Sequence, residues 1–442
     1  MLERKTSSVG FMLRALAYRN YRLFFGGQIV SLIGTWITMT ATNWLVYRLT
    51  GSAFLLGVIA FASQFPAFLL GPFAGIVVDR SDRHRLVTVT QTISMLQSFA
   101  LAALVFSGRV TLGWIAALSV VQGLANAFDM PGRQSLLFTM IENKEDLGNA
   151  IALNSSMVNA ARLIGPSIAG VVIAAAGEGW CFLIDGVSYV AVLVGLLRMR
   201  LPRRQSGTPT RTGAIAQFTE GFRYAFGFQP IRTIIVLLAL ISLVGVPYSV
   251  LMPVFATTVF HGGPHTLGTL MTSSGCGALL GALWLAGRRT VLGLGRVIPI
   301  AAGLFGVGLI AFSFTPVLWL AIPFLVLAGF GFMVQMASSN TVIQTIVDDE
   351  KRGRVMSFYM MAFLGTAPFG SLIAGSLSAR IGAGHTLLVG GVCCIAGALW
   401  FAKELPTIRA AVRPIYVRLG ILPEVASGLE HAVELSIPPE QS

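Results

Sequence analysis

The sequence predicts an all-α membrane protein with twelve transmembrane helices in two six-helix bundles, and three observations carry that prediction. First, 55% of the 442 residues are hydrophobic and only 11% are charged, where a soluble domain carries roughly 25% charged residues. This composition excludes a water-soluble multidomain protein, and the apolar content excludes a solvated, unfolded chain. Second, the apolar stretches run for about 20 residues without alternation, enough helix to cross a ~30 Å hydrocarbon core, whereas barrel strands alternate over about 10. Third, one half of the chain repeats the other.

In chain order the spans fall at 23–47, 53–78, 86–106, 111–128, 150–176, 180–197, 231–258, 267–287, 297–315, 317–343, 354–379 and 385–402. The basic start (Arg4, Lys5, Arg14, Arg19, Arg22) runs straight into the first, without the short apolar core and small-residue cleavage site of a secretory signal. Spans 7 and 10 are long, and Pro247, Pro253 and Pro323 give them places to bend. With the N-terminus placed inside, the inner segments hold 27 of the 31 lysines and arginines. Arg48, Arg109 and Arg380 fall outside, and Arg162 lies within span 5. Positive charge marks the cytoplasmic side, so both termini are expected there, in a plasma (inner) membrane. The net charge of +13 is then a topology signal and calls for no nucleic-acid partner.

Shifting residues 148–186 by 205 places all six of their glycines on glycines. The pairs are Gly148/Gly353, Gly165/Gly370, Gly170/Gly375, Gly177/Gly382, Gly179/Gly384 and Gly186/Gly391. Spans 5–6 therefore match spans 11–12. Each half has an even number of spans, so the halves face the same way, as parallel repeats about an axis along the membrane normal. The expected organisation is an N-terminal bundle over 1–197, a cytoplasmic linker over 198–230, a C-terminal bundle over 231–403 and a cytoplasmic tail over 404–442. Within the linker, 214–228 is amphipathic enough to lie on the inner lipid surface. The tail, punctuated by prolines, is expected to be interfacial or disordered.

The connection after span 2 reads Gly75-Ile-Val-Val-Asp79-Arg80-Ser-Asp82-Arg83-His84-Arg85. It resembles the G-x-x-x-D-R-x-G-R-R signature of the major facilitator superfamily, with Asp82 in place of the second glycine and His84 in place of a basic residue. Asn20-Tyr-Arg-Leu-Phe-Phe, Gly51-Ser-Ala-Phe, Asp129-Met-Pro-Gly-Arg133-Gln134, Asn149-Ala-Ile-Ala-Leu-Asn154-Ser and Ala161-Arg162-Leu-Ile-Gly165-Pro166 look like its enterobactin-exporter and macrolide-efflux branch. The resemblance covers about residues 15–405. It implies the major facilitator fold, and a gate in which Asp79 and Arg83, with Gly75, Arg80 and Arg133 beside them, lock the halves on the cytoplasmic side with Asp129 of span 4. For the arginines a simple stop-transfer anchor is the competing reading. Gly165-Pro166-Ser-Ile-Ala-Gly170 is close to the superfamily's antiporter signature, with Ala169 for a glycine; generic small-residue packing is the alternative.

Polar residues within lipid are costly unless they face protein or a wet cavity. Span 1 carries Gln28, Ser31, Thr35, Thr38 and Thr42, and span 4 carries Ser119, Gln122, Asn126, Asp129 and Arg133, both spaced 3, 4, 3, 4 along one helical face. The resemblance implies that spans 1, 4, 7 and 10 line a central cavity, so these stripes, with Arg162 and with Met333, Gln335, Met336 and Asn340 of span 10, are candidate substrate contacts. Hydrogen-bonding glue between helices is the other reading. Amide, methionine and aromatic groups suit an amphipathic drug-like compound or siderophore. Asp185, an acid well inside span 6, is a candidate proton carrier, with Asp129 as a second; a structural hydrogen bond is the alternative. The superfamily's R-x-x-Q-G of span 4 appears as Ser119-Val-Val-Gln122-Gly123, without its arginine.

No phosphate-binding G-x-x-x-x-G-K-[ST] loop is present, which argues against direct drive by ATP. The four cysteines lie in apolar stretches with no metal-ligand spacing, so neither disulfides nor a metal nor another cofactor is expected. The five histidines lie in loops, span ends or the tail, which argues against an enzyme. The expectation is a monomeric secondary transporter, exporting amphipathic small molecules by alternating access and coupled to protons. An importer or lipid transporter of the same fold, and a non-transporting membrane scaffold or sensor, are the rivals.

Overall fold

The computed structural model describes residues 13–200, 222–288 and 290–422. A short 3-10 turn at Arg14–Ala17 leads into α1 (Arg19–Thr50), α2 (Ala53–Arg80), α3 (Arg83–Phe106), α4 (Leu112–Met140), α5 (Lys144–Ala176) and α6 (Glu178–Leu197). The second half holds α7, which starts as Gln229–Val244 and continues through a 3-10 segment at Val246–Leu251 to a π turn ending at Val259. It is followed by α8 (Pro264–Ala286), α9 (Leu294–Ser313), α10 (Leu318–Ile346), α11 (Asp349–Leu364 and Ala367–Ile381) and α12 (Ala383–Arg418). Each of the twelve corresponds to one expected span. Eleven pass on length and apolarity alone; α4 does not, because its polar stripe lowers its apolarity.

Local chemistry sets the boundaries. Ser52, Thr111 and Asn143 accept the Leu55, Trp114 and Glu145 amides as N-caps of α2, α4 and α5. Asp82, the departure from the loop signature, caps α3 by accepting the His84 and Arg85 amides. Helices α5 and α6 are joined by Gly177 at φ +90°, and α11 and α12 by Gly382 at φ +84°.

The two halves are built alike. Helix α1 packs on α5 and α6, α2 on α4, and α3 on α4 and α6; in the second half α7 packs on α11 and α12, α8 on α10, and α9 on α10 and α12. The glycine pairs read from the sequence occupy matching places. A Cβ on Gly165 would strike Trp36 of α1, and one on Gly370 would strike Leu243 of α7. Gly170 meets Gly268 of α8, and Gly375 meets Gly57 of α2. Gly186 lies against Phe99 of α3, and Gly391 against Gly306 and Ile310 of α9.

Several boundaries differ from expectation. Helix α4 continues through Pro131 to Met140, where Leu136, Leu137 and Met140 are buried in a cluster with Tyr21 and Phe24 of α1 and Val87 of α3. Helix α12 runs through Pro406 and Pro414 to Arg418, with Ile408 and Val412 buried, so the first part of the tail is an ordered helix. Pro323 leaves α10 unbroken, whereas α7 changes its winding around Pro247 and Pro253. Most of the linker lies outside the described residues. Its last turn packs on α11 instead of lying on lipid: Ala225 is buried, Phe222 meets Phe358 edge-on and Lys351 sits over Tyr224.

Candidate functional site

The halves meet along two seams, α2 with α11 and α5 with α8. Along α2 and α11 the contact runs from Ala53 and Gly57 against Gly375 to a cluster of Phe61, Phe65 and Phe68 around Phe369. Along α5 and α8 it runs from Gly170 and Gly268 through the Ser167–Thr272 hydroxyl pair (2.6 Å) to Leu163 beside Gly275. Toward the face that carries the described ends of the chain, Leu13 and Leu422, and most of the described arginines, the seams part. Gly71 and Gly75 on α2, Gly148 on α5 and Gly353 on α11 face open space. The cleft between the halves therefore opens at this basic face and is closed at the opposite one.

Helix α4 sends its polar stripe toward the interior. Val120, Val121, Leu124 and Phe138 are exposed on one side, and Asn126, also exposed, lies about 200° round from Leu124 at 100° per residue. Gln122 donates to Asn126 (3.1 Å) and to Ser94 of α3 (3.1 Å). From the other half, Met333, Met336 and Asn340 of α10 are partly exposed, and Gln344 donates to Asn340.

Arg162 is the cation at the centre. Its guanidinium carbon lies 5.7 Å from the Trp36 ring of α1 and 5.6 Å from the Phe332 ring of α10, so it is held between aromatic faces of both halves. It has no carboxylate partner among the described residues. Trp36 and Phe332 were not singled out from the sequence; nothing in their spacing connects them to Arg162.

Other candidates are placed elsewhere. Gln28 and Ser31 are each 1% exposed, and Thr35 lies 3.4 Å from the Tyr189 hydroxyl of α6. Thr38 faces Asp185. The span 1 stripe thus looks into its own bundle, toward α6, because α1 turns the Trp36 side to the cleft. Gln335 is 0% exposed and donates to Ser339 one turn on (3.2 Å), so it too does not open on the cleft. Asp129, expected to form the gate with the loop after α2, takes its partners from α3 and from its own helix. Thr90 (2.9 Å) and Gln91 (2.8 Å) of α3 donate to Oδ1, and Arg133 Nε lies 2.6 Å from Oδ2. The side chain of Asp79 lies outside the described residues. Arg80 is exposed, and Arg83 is half-buried with a partner. Among the described side chains, Asp129 is not joined to the loop after α2 or to the other half. Gly165 and Gly170 of the antiporter-like segment serve close helix approach, to α1 and α8.

A row the sequence reading missed runs along α3: Thr90, Gln91, Ser94, Gln97 and Ser98 are all buried. The signal was available, as 3- and 4-residue spacing of polar groups in an apolar span. Ser98 donates to Asp185 Oδ2 (2.8 Å), and Asp185 is 2% exposed. At the far face Arg48 forks onto Glu178 with Nε–Oε1 at 2.7 Å. At the basic face Arg14 (2.8 Å) and Tyr18 (2.8 Å) bind Asp146.

The family model of the transmembrane secretion effectors, within the major facilitator superfamily, matches residues 12–418. The chain belongs to that family. It is therefore a membrane transporter and not an enzyme. It is 27% identical over 388 residues to the staphyloferrin A transporter of Staphylococcus aureus, covering 87% of this chain and 96% of that one. It is 27% identical to the multidrug efflux pump Tap of Mycolicibacterium fortuitum (80% and 88% covered) and 24% identical to macrolide efflux protein A of Streptococcus pyogenes (86% and 96%). Among solved structures it superposes on the nucleoside transporter NupG with a TM-score of 0.69 at 12% identity, covering 88% of this chain and 99% of that one. It also superposes on a bacterial homologue of the lysosomal transporter Spinster with a TM-score of 0.65 at 16% identity (91% and 98%). These structural likenesses bear on the fold of this transporter.

Proposed function

We propose that this transporter exports amphipathic small molecules of the drug or siderophore kind across the plasma membrane by alternating access, driven by proton exchange. The observation that carries the reading is the cleft, open at the basic face, with the Arg162 guanidinium between Trp36 and Phe332 of the two halves; Gln122, Asn126, Met333, Met336 and Asn340, all at least partly exposed, are the side chains assigned to its walls. Placing the basic face in the cytoplasm follows the charge bias and gives cargo entry from inside. The names of the efflux relatives favour export. An unpaired guanidinium within a span is expensive, so an acidic or aromatic substituent on the cargo would be held there. Residues 1–197 and 231–403 then rock as two bodies, with Asp79 and Arg83 re-engaging when the basic face closes, and Asp185 or Asp129 carrying the proton. The monomer contains a whole cleft and suffices.

The test is efflux of a panel of dyes, macrolides and carboxylate siderophores from cells expressing wild-type protein or Arg162→Ala, with and without a protonophore. The reading expects accumulation to rise with the protonophore and with Arg162→Ala. Uptake instead of efflux, or efflux indifferent to both, refutes it.

A further inference from the structure

The polar side chains buried along α3 have no counterpart in the other half. Helix α9, which fills the place of α3 there, buries Leu294, Ile298, Ala301, Ala302, Phe305, Leu309 and Phe312 and no polar side chain. Packing two halves of the same design therefore does not require Thr90, Gln91, Ser94, Gln97 and Ser98. These residues span eight positions, about 12 Å of helix at 1.5 Å each. They line one stretch of the helix between the two acids, as three hydrogen-bonded groups. Thr90 and Gln91 hold Asp129, Ser94 accepts from Gln122, and Ser98 joins Gln97 to Asp185.

The line is also short of donors. Gln28 Oε1, Gln91 Oε1, Gln122 Oε1 and Asp185 Oδ1 are buried and accept no hydrogen bond from the protein, and Thr38 faces Asp185 without closing a well-aligned bond. Buried acceptors in such numbers are held by internal water, or for a carboxylate by its own proton. At the basic end Arg133, 23% exposed, connects Asp129 to solvent.

We propose that this column is a hydrated proton path inside the N-terminal half, running beside the cleft and touching it at Gln122, which loads Asp185 from the basic face. The step is a simple transfer: a hydronium entering beside Arg133 and Asp129 passes its proton along water and hydroxyl groups to Asp185 Oδ1, converting carboxylate to carboxylic acid and leaving water behind. The ionisable groups facing the column are few. Helix α1 between Arg22 and Tyr47 and α3 beyond Arg85 contribute none. Helix α4 contributes Asp129 and Arg133, and α6 contributes Cys181 and Tyr189, while α5 turns its one intramembrane cation, Arg162, to the cleft. Among the described residues no cation pairs with Asp185, so protonation is the available way to neutralise it. Asp185 binds α3 through Ser98 and stands against α1 at Gly34, where a Cβ would lie 2.6 Å from Oδ1. A change of its charge thus bears on the helix that carries Trp36.

The inference rests on the proton-coupled reading above, and its test reads the path without cargo. Infrared spectra of the purified full-length protein in nanodiscs are titrated with pH, and the carboxylic C=O band is followed after a switch to deuterated buffer. The wild type is expected to show a band that Asp185→Asn removes. Ser94→Leu, which plugs the column, is expected to slow its deuteration about tenfold, and Asn340→Leu on α10 of the other half, whose amide is bonded to Gln344 and not to the column, to leave that rate unchanged. Gln91→Leu, close to isosteric, replaces Ser94→Leu if that variant does not fold. No Asp185-dependent band at any pH, or a rate set by Asn340→Leu and not by the plug, overturns the proposal. If the band and rates behave as expected while efflux ignores a protonophore, the path stands and the coupled-export reading falls.

Discussion

Gly57 offers a direct test of which face is closed. Its ideal Cβ would lie 2.5 Å from the Ser371 carbonyl oxygen and 3.1 Å from Gly375 Cα, both backbone atoms that no rotamer change can move. Ordinary contact begins near 3.4 Å, so Gly57→Ala requires α2 and α11 to part by up to about 0.9 Å at the far face. Overpacking of this kind costs about 1–3 kcal/mol. The cost falls only on the conformation in which that face is shut, so its population relative to the reverse state should drop by about 5- to 140-fold. Spin labels at Phe54 and Arg380, both exposed near the far ends of α2 and α11, report the change as a longer distance in pulsed electron resonance. Gly170→Ala, whose Cβ would meet the Pro264 oxygen at 2.9 Å, should move the equivalent α5–α8 seam the same way by less. Gly75→Ala, facing open space, should leave the distances as they are. Distributions that coincide with wild type for Gly57→Ala, or that shift equally for Gly75→Ala, would refute the reasoning.

Three further outcomes follow from the geometry. Arg48→Ala leaves the Glu178 carboxylate, 6% exposed, without its fork and should lower unfolding stability by about 1–2 kcal/mol, Arg48 itself being half exposed; Arg48→Lys should recover part of this in a denaturation series. Gly177→Ala and Gly382→Ala, at φ +90° and +84° with extended ψ, should each cost about 1–3 kcal/mol, and nearly the same amount because the turns are repeats of each other. The hydrogen bond to Asp146 raises the Tyr18 phenol above its ordinary 10.0. What the contact contributes is therefore present below pH 10.0 and is lost as the pH rises through the higher folded value; the difference between spectrophotometric titrations of wild type and Tyr18→Phe should be a single tyrosine that ionises above pH 10.0.

The degree to which this molecule could be read in advance depended on whether the signal was periodic along one helix. The spans and the loop signature were legible, and so was the 205-residue repeat: α5 and α11 begin at Lys144 and Asp349 and end at Ala176 and Ile381, in register at both ends. The polar stripe of α1 was equally visible, yet periodicity says that Gln28, Ser31, Thr35 and Thr38 share a face without saying which neighbour takes it. The Gly27 and Gly34 contacts with α6 turn that face inward and bring Trp36 to the cleft. The same limit applies to Asp129: its place on the α4 stripe was visible, but its partners, Thr90 and Gln91, are nearly forty residues away on a helix whose polar groups were not singled out.

What the amino-acid order determined alone was the number of long apolar helices and the duplication, because lipid forces every backbone amide to be satisfied within its own helix; the charge bias adds an expected orientation. What the tertiary structure decided was which groups meet. Arg162 between the rings of two different halves, the acids joined through α3, and the face at which the cleft opens all depend on rotations and close approaches of helices about their axes. Those rotations are set by glycine contacts between distant segments, and no local pattern records them.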